Sequence, residues 1–394
     1  MMHVQARDTA FSGRLLVAIA MLSLLPACSW LGLGRGEPTP PPLPPTVGGV
    51  SPRVAWSASI GNSGVGFQPA VVGSSVYAAA ADGTVARFAA SSGRIDWKVS
   101  AGQVLSAGVG ASESIVVVAS RDGDVIALNA ADGRQAWKVA AGTEVLSTPS
   151  VGLNAVLVRV GDKVMSLEAA TGKTRWTWQR ALPTLVLRQP SPVAVAEVTT
   201  PAGSTGLVFA GLPGGRLVAL DLETGALRWE TAIAQPRGTN EIERIADVLG
   251  RPWVAGREVC ATAYQGRVAC QDALSGAPIW SRELPAWTGI AVDPKFAFVA
   301  DDRGNLHGLR HTNGEQVWRQ EALSLRRLSE PLSIGGSVLV GDRDGLVHWF
   351  SRESGAVQAR SNLSGGPIQA PPVAAGNLAI VQTTRGAIVA LATD

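Results

Sequence analysis

The stretch Leu207–Trp229 reads LVFAGLPGGRLVALDLETGALRW, and its reading decides the fold. An apolar run, Leu207 to Ala210, meets a glycine turn at Gly214-Gly215. A second apolar run, Leu217 to Leu220, leads to the polar corner Asp221-Leu222-Glu223-Thr224-Gly225, and Trp229 follows. The runs are short, aliphatic and bounded by turn residues, so they predict buried strands and not helices. The unit is strand, hairpin, strand, corner, and a strand carrying a Trp.

Copies of the unit fill the chain. Hairpin, corner and Trp fall at Asp82-Gly83, Ser92-Gly93 and Trp97, then at Asp122-Gly123, Asp132-Gly133 and Trp137. The third copy has Gly161-Asp162, Thr171-Gly172 and Trp176. After the copy quoted above come Gln265-Gly266, Ser275-Gly276 and Trp280, then Arg303-Gly304, Asn313-Gly314 and Trp318. A seventh has Asp344-Gly345 and Ser354-Gly355, with Ala359 in place of the Trp. An eighth begins at Leu378, turns at Arg385-Gly386 and ends at Asp394 before its corner. The missing strand stands at the other end, as Val54-Ala55-Trp56-Ser57. Four-strand repeats with a period of about 40 residues fit a β-propeller. The fold predicted is all-β: an eight-bladed β-propeller of four-stranded antiparallel blades, closed by the N-terminal strand pairing into the last blade. Closure removes the free edges of an open array.

The residue types suit these positions. Gly accepts positive φ in a tight hairpin, and Asp bonds its own backbone there. Six residues before the corner Gly the side chain is mostly small: Ala127, Ser166, Ala219, Cys270, Gly308 and Ala390, with Arg87 and Trp349 as exceptions. A small residue leaves room for an indole, expected from a neighbouring blade. Trp56, Trp97, Trp137, Trp176, Trp229, Trp280 and Trp318 are therefore read as blade-docking residues. Each buried indole contributes a few kcal/mol.

Ahead of the repeats, residues 1–27 read as a cleaved signal peptide. Arg7 and Arg14 precede an apolar stretch, Leu15 to Leu25, too short to span a membrane. Leu25-Pro26-Ala27-Cys28 resembles a bacterial lipobox, which implies lipidation of Cys28. Several acyl chains anchor a protein stably. Ser29 follows, where an Asp would signal retention at the inner membrane, so the resemblance implies the periplasmic face of a Gram-negative outer membrane. Residues 28–52 form a linker whose prolines (Pro38, Pro40, Pro41, Pro42, Pro44, Pro45) make it extended, a spacer in preference to a PxxP ligand. The propeller is assigned to 53–394. The charge of the whole chain is nearly balanced, 34 basic against 31 acidic residues, and no Lys/Arg run marks a nucleic-acid footprint.

Tryptophan spacing locates the insertions. Successive intervals from Trp56 to Trp318 are 41, 40, 39, 53, 51 and 38 residues. Two adjacent connections, near Arg180–Gly206 and Ala234–Arg257, are thus longer by roughly a dozen residues and emerge on one face. The first holds Leu182-Pro183-Thr184-Leu185-Val186-Leu187-Arg188, which reads either as a protein contact or as a short strand with Leu185 and Leu187 buried. The second holds Asn240-Glu241-Ile242-Glu243-Arg244-Ile245-Ala246-Asp247-Val248, which on composition is a solvated segment.

The pattern Ala219-x-Asp221-x-x-Thr224-Gly225-x-x-x-Trp229 is similar to the tryptophan-docking motif of the quinoprotein (PQQ-like) propeller superfamily. A likeness of this kind fixes fold and not function. The leader, the eight repeats and the two segments in the long connections together resemble the BamB family, propeller lipoproteins of the outer-membrane β-barrel assembly machinery. The resemblance implies binding to the periplasmic POTRA domains of BamA through Leu185, Leu187 and Arg188. In the family's second contact segment Asp247 matches the first acid but Leu249 replaces the second, so Asp247 alone is carried over. The function implied is a non-enzymatic scaffold, a monomer within a hetero-complex that assists outer-membrane protein folding and insertion, with unfolded outer-membrane proteins as a further partner.

The alternative is a PQQ-dependent dehydrogenase or a ligand-binding periplasmic propeller. Such dehydrogenases use calcium, an Asp base and often adjacent bonded cysteines. Here Cys260 and Cys270 flank a hairpin instead, and read equally as a cross-strand disulfide or as two buried thiols. His307 and His311, four apart in a strand, stand roughly 13 Å apart at about 3.3 Å per residue, too far to share a metal. Gly172-Lys173-Thr174 lacks the upstream glycine of a phosphate loop. No catalytic residue, metal or cofactor is assigned.

Overall fold

The computed structural model describes residues 39–392 except 65, 182, 184, 188–190, 201–202, 237 and 241. The signal segment 1–27, Cys28 and Arg188 lie outside the described residues. The chain divides after Pro40, and the unit from Pro41 onward is a propeller of eight four-stranded antiparallel sheets. Seven blades are built from consecutive strands, a to d from the axis outward. Blade 4, for example, comprises Ala194–Thr200, Gly203–Leu212, Arg216–Asp221 and Leu227–Ala232. Blade 8 takes Val373–Ala375, Leu378–Gln382 and Ala387–Ala392 from the C-terminal end and Arg53–Ser59 from the N-terminal end. The two ends pair antiparallel from Arg53↔Ala392 to Ser59↔Ala387. The innermost strands touch in succession and return from blade 8 to blade 1, so the ring is closed.

The indoles join the blades. Each of the seven stands on strand d, and in six of them Nε1 donates to a carbonyl at the corner of the next blade. Trp56 bonds Ala90 O at 2.7 Å, Trp97 bonds Ala130 O at 2.9 Å, and Trp137 bonds Ala169 O at 2.8 Å. Trp176, Trp229 and Trp318 do the same to Leu222, Ala273 and Arg352. Trp280 packs on its corner without a hydrogen bond from Nε1. The corner glycine lies flat under the ring. At Gly225, φ is +72°, and a Cβ would stand 2.6 Å from Trp176, so both the backbone and the indole require glycine. The corner is braced by Asp221, whose Oδ1 accepts from Thr224 N at 2.9 Å and from Thr224 Oγ1 at 2.8 Å. Burial pushes the Asp221 carboxyl up. The bonds from Arg228 and Thr224 outweigh it, and the group lies below its ordinary value.

Two sequence expectations take a different physical reason here. The small residue before each corner does not face a neighbouring blade's Trp; it pairs across the ladder with the Trp of its own blade. The pairs include Ala127↔Trp137, Ala219↔Trp229 and Gly308↔Trp318. A Cβ on Gly308 would lie inside the Trp318 indole. The two irregular residues of the seventh repeat are one such pair, Trp349↔Ala359, with large and small exchanged. Ala359 has no corner to reach, because the connection between strands c and d of blade 8 is the chain break itself. Seven corners therefore meet seven strand-d indoles, and Trp349 is fully buried between blades 7 and 8 instead.

The proline-rich segment also departs from a free spacer. From Pro41 on it lies against the propeller, with Leu43 and Val50 half-buried on two blade clusters.

Replacing a docked indole removes both its buried area and its inter-blade bond. Trp229→Ala is expected to lower the free energy of unfolding by about 3–5 kcal/mol. Ala359→Trp, with no corner to dock on, should give no stabilisation. Urea unfolding of the two variants beside the parent checks both outcomes.

Candidate functional site

The two long connections flank blade 4. The first, 180–193, enters it and the second, 233–247, leaves it. Part of the extra length is not loop: strands a and b of blade 4 are extended, Ala194–Thr200 against Gly203–Leu212. No strand forms over 185–187, and Leu185 and Val186 are 43% and 37% exposed, so the alternative of a buried short strand does not hold. Leu187 is half-buried.

Asp247 holds this surface together. It is 5% exposed. Its Oδ2 accepts the backbone N–H of Leu187 at 2.6 Å, and its Oδ1 accepts that of Gly214 at 3.1 Å. One carboxylate thus clasps the first connection, the second connection and the blade 4 hairpin. Burial pushes the Asp247 carboxyl above its ordinary value, opposed by the two amides and by the charge of Arg159. Arg159 lies beneath, in strand b of blade 3, and its Nη1 donates to Gly211 O. Its burial lowers its own pKa to about 10. At the root of the first connection, Arg180 and Arg216 both pair with Glu230.

The second connection holds a tight turn built from its own exposed polar groups. Glu243 accepts from Thr239 N at 2.7 Å and from Thr239 Oγ1 at 3.0 Å, and its own N–H donates to Asn240 Oδ1. Ile242, at the crest of that turn, is left 70% exposed. Asn240, Glu243 and Arg244 are exposed, as the composition leads one to expect, while Ala246, Asp247 and Val248 are buried. Arg159 also escapes a sequence reading, although an arginine within the buried run Ala155–Val160 signals a buried partner.

Of the residues singled out from sequence, Leu185, Leu187 and Asp247 come together on this face. Cys260 and Cys270, opposite each other in blade 5, are joined as a disulfide. His307 bonds Asp301 at 2.9 Å and His311 pairs with Glu258 of the adjacent blade at 3.0 Å, so the two histidines serve separate contacts.

The axial channel holds a cavity of about 130 Å³ lined by residues including Gln68, Thr148, Arg251, Trp287, Glu330 and Gln369. The Glu330 carboxylate lies between Gly250 and Gly289, where neither glycine has room for a Cβ. Burial raises its pKa to about 7, against the pull of Arg251 and the Gly289 amide. Arg251 keeps surface open toward the channel.

Seven docked indoles close an eight-bladed propeller, and the two long connections beside blade 4 expose Leu185, Val186 and Ile242. The sequence pattern of the family described as outer membrane protein assembly factor BamB matches residues 81–320 and 309–394. The outer membrane protein assembly factor BamB of Bordetella pertussis is 39% identical over 376 residues, 95% of each chain. That of Burkholderia pseudomallei is 37% identical over 371 residues, 94% of this chain and 95% of its own. The crystal structure of BamB from Moraxella catarrhalis superposes with a TM-score of 0.77 at 25% identity, covering 87% of this chain and all of that one. The quinohemoprotein alcohol dehydrogenase of Comamonas testosteroni has a TM-score of 0.64 at 15% identity over 86% of this chain and 76% of its own, a likeness of fold alone. The chain belongs to the outer membrane protein assembly factor BamB family.

A carboxyl whose pKa is raised by folding stabilises the fold when protonated. For Glu330 that contribution is complete below the ordinary glutamate value of 4.5 and is lost as pH rises through about 7. Stability of the parent should therefore fall between these limits relative to Glu330→Gln, whose side chain does not titrate. Thermal unfolding of both proteins across that range measures the difference.

Proposed function

We propose that the protein is a non-enzymatic assembly factor for outer-membrane proteins that docks on the POTRA domains of BamA through the two loops flanking blade 4. The observation that carries this reading is the exposed pair Leu185 and Val186 on a connection held by the buried Asp247, with Ile242 exposed on the neighbouring connection. Exposed apolar residues on ordered loops are a typical protein contact, because little conformational entropy remains to be lost on binding. Asp247 then acts by positioning Leu187 and not by touching the partner. Arg188 adjoins Leu187 in sequence and, by the family resemblance, supplies the charge at the crest.

In the same reading, residues 1–27 are a signal peptide and Cys28 carries the lipid. Residues 53–394 face the periplasm beneath the outer membrane. The family membership supports the role in outer-membrane protein assembly. The rigid ring orients the POTRA domains or presents unfolded barrel proteins to them, and an exposed loop segment can extend a partner's sheet edge.

Calorimetric titration of the chain from Ser29 onward into purified POTRA domains tests this. Leu185→Glu and Arg188→Ala should each weaken binding by tenfold or more, about 1.4 kcal/mol, as expected for residues at the centre of an interface. Asp247→Ala should weaken it less and accelerate amide exchange at Leu187. Binding that none of these changes affects, or no binding by the parent, overturns the assignment.

A further inference from the structure

Seven blades present similar outer strands to solvent. Strand d of blades 1, 2 and 5 shows one pattern, with only the Trp buried. Strand d of blade 7, Val357–Asn362, is different: Val357 and Ala359 are buried, and Gln358, Arg360 and Ser361 are half-covered. The N-terminal segment supplies the difference. Val47 N donates to Val357 O at 2.8 Å, using a carbonyl on the strand's free edge. Arg360 donates to Pro44 O, and Arg326 Nη2 donates to Pro41 O at 3.1 Å. Arg326 is itself 7% exposed and is fixed by Asp344 at 2.7 Å and Asp342 at 3.7 Å. Leu43 packs on the cluster between blades 6 and 7, and Val50 on that between blades 7 and 8.

Prolines suit a segment held this way. They keep it extended and remove donors that a surface strap leaves unpaired, while their carbonyls remain to accept from the two arginines. The strap lies on the one blade whose strand d has no indole.

We propose that residues 41–50 are a docked strap that fixes where the lipid-bearing chain leaves the ring, with blade 7 toward the membrane and the blade 4 loops turned away from it. The membrane part of this rests on the Cys28 reading above; the docking does not. With the strap in place only residues 29–40 form the tether, a reach of at most about 40 Å. A linker free over 29–52 would reach about 80 Å and leave every edge of the ring equally able to approach the bilayer. Blade 4 is three blades from blade 7, about 135° around an eight-fold ring, so the contact loops point into the periplasm where a soluble domain can reach them.

The test uses the full lipidated chain on vesicles of phosphatidylethanolamine and phosphatidylglycerol that carry a headgroup energy-transfer acceptor. Donor dyes go on Glu353→Cys at the blade 7 corner or Glu223→Cys at the blade 4 corner, both exposed. Hydrogen exchange is followed at Val47 in parallel. The expected result is roughly tenfold or greater slowing of Val47 exchange relative to Leu43→Asp, together with stronger transfer from position 353 than from 223. The transfer difference should vanish in Leu43→Asp, which alters the strap and leaves the ring intact. Val47→Pro, which removes the amide donor and fixes φ there, should likewise reduce the transfer difference. Unprotected Val47 in the parent overturns the docking. A protected Val47 with equal transfer from the two positions overturns the orientation. A chain that does not float with the vesicles overturns the Cys28 anchor and the orientation with it, and the exchange result still decides the docking.

Discussion

The structure depends on one repeated contact: the indole at the end of each outer strand lying on the corner glycine of the next blade. The contact is apolar over the ring face and polar at one atom, where Nε1 meets a corner carbonyl. It needs glycine twice over, for positive φ and for the absence of a Cβ. Because each blade buries its faces only against its neighbours, no single core holds the domain. Seven such joints and one strand pairing between the chain ends close the circle. Between blades 7 and 8, where the chain break leaves no corner, the buried Trp349 stands in for an eighth joint.

Closure gives the loops a fixed frame. Blade 4 carries longer inner strands and two long connections, and a buried carboxylate ties both connections to its hairpin. The clasp costs desolvation, seen in the raised Asp247 pKa, and is offset by two amides and a buried arginine. What it achieves is order at the surface. Leu185 and Val186 stay exposed beside a backbone amide, that of Leu187, held by a buried carboxylate, and Ile242 sits on a turn closed by Thr239, Asn240 and Glu243.

Most of the architecture was legible in the sequence because its determinants are local and repeated. Corner glycines, hairpins and tryptophans recur at fixed offsets, so blade number and closure follow from counting. The partner of the small residue was not legible, since Ala219 facing its own Trp229 and Ala219 facing a neighbour's leave the same spacing. Trp349 and Ala359 read as two defects until the ladder places them opposite each other. The site was half legible. The insertions and Leu185 stand out, but the reach of Asp247 to Leu187 is a contact between segments distant in sequence. The strap lay furthest from view: prolines report an extended chain and say nothing about what it lies on.

The central claim is that the protein meets BamA through the crest beside blade 4. It is tested most directly by photo-crosslinking in living cells, with a photoreactive amino acid placed at Leu185 and, separately, at Glu353 on blade 7. The account predicts a crosslink to the POTRA domains from position 185 and none from position 353. A crosslink from 353 with none from 185 would contradict it.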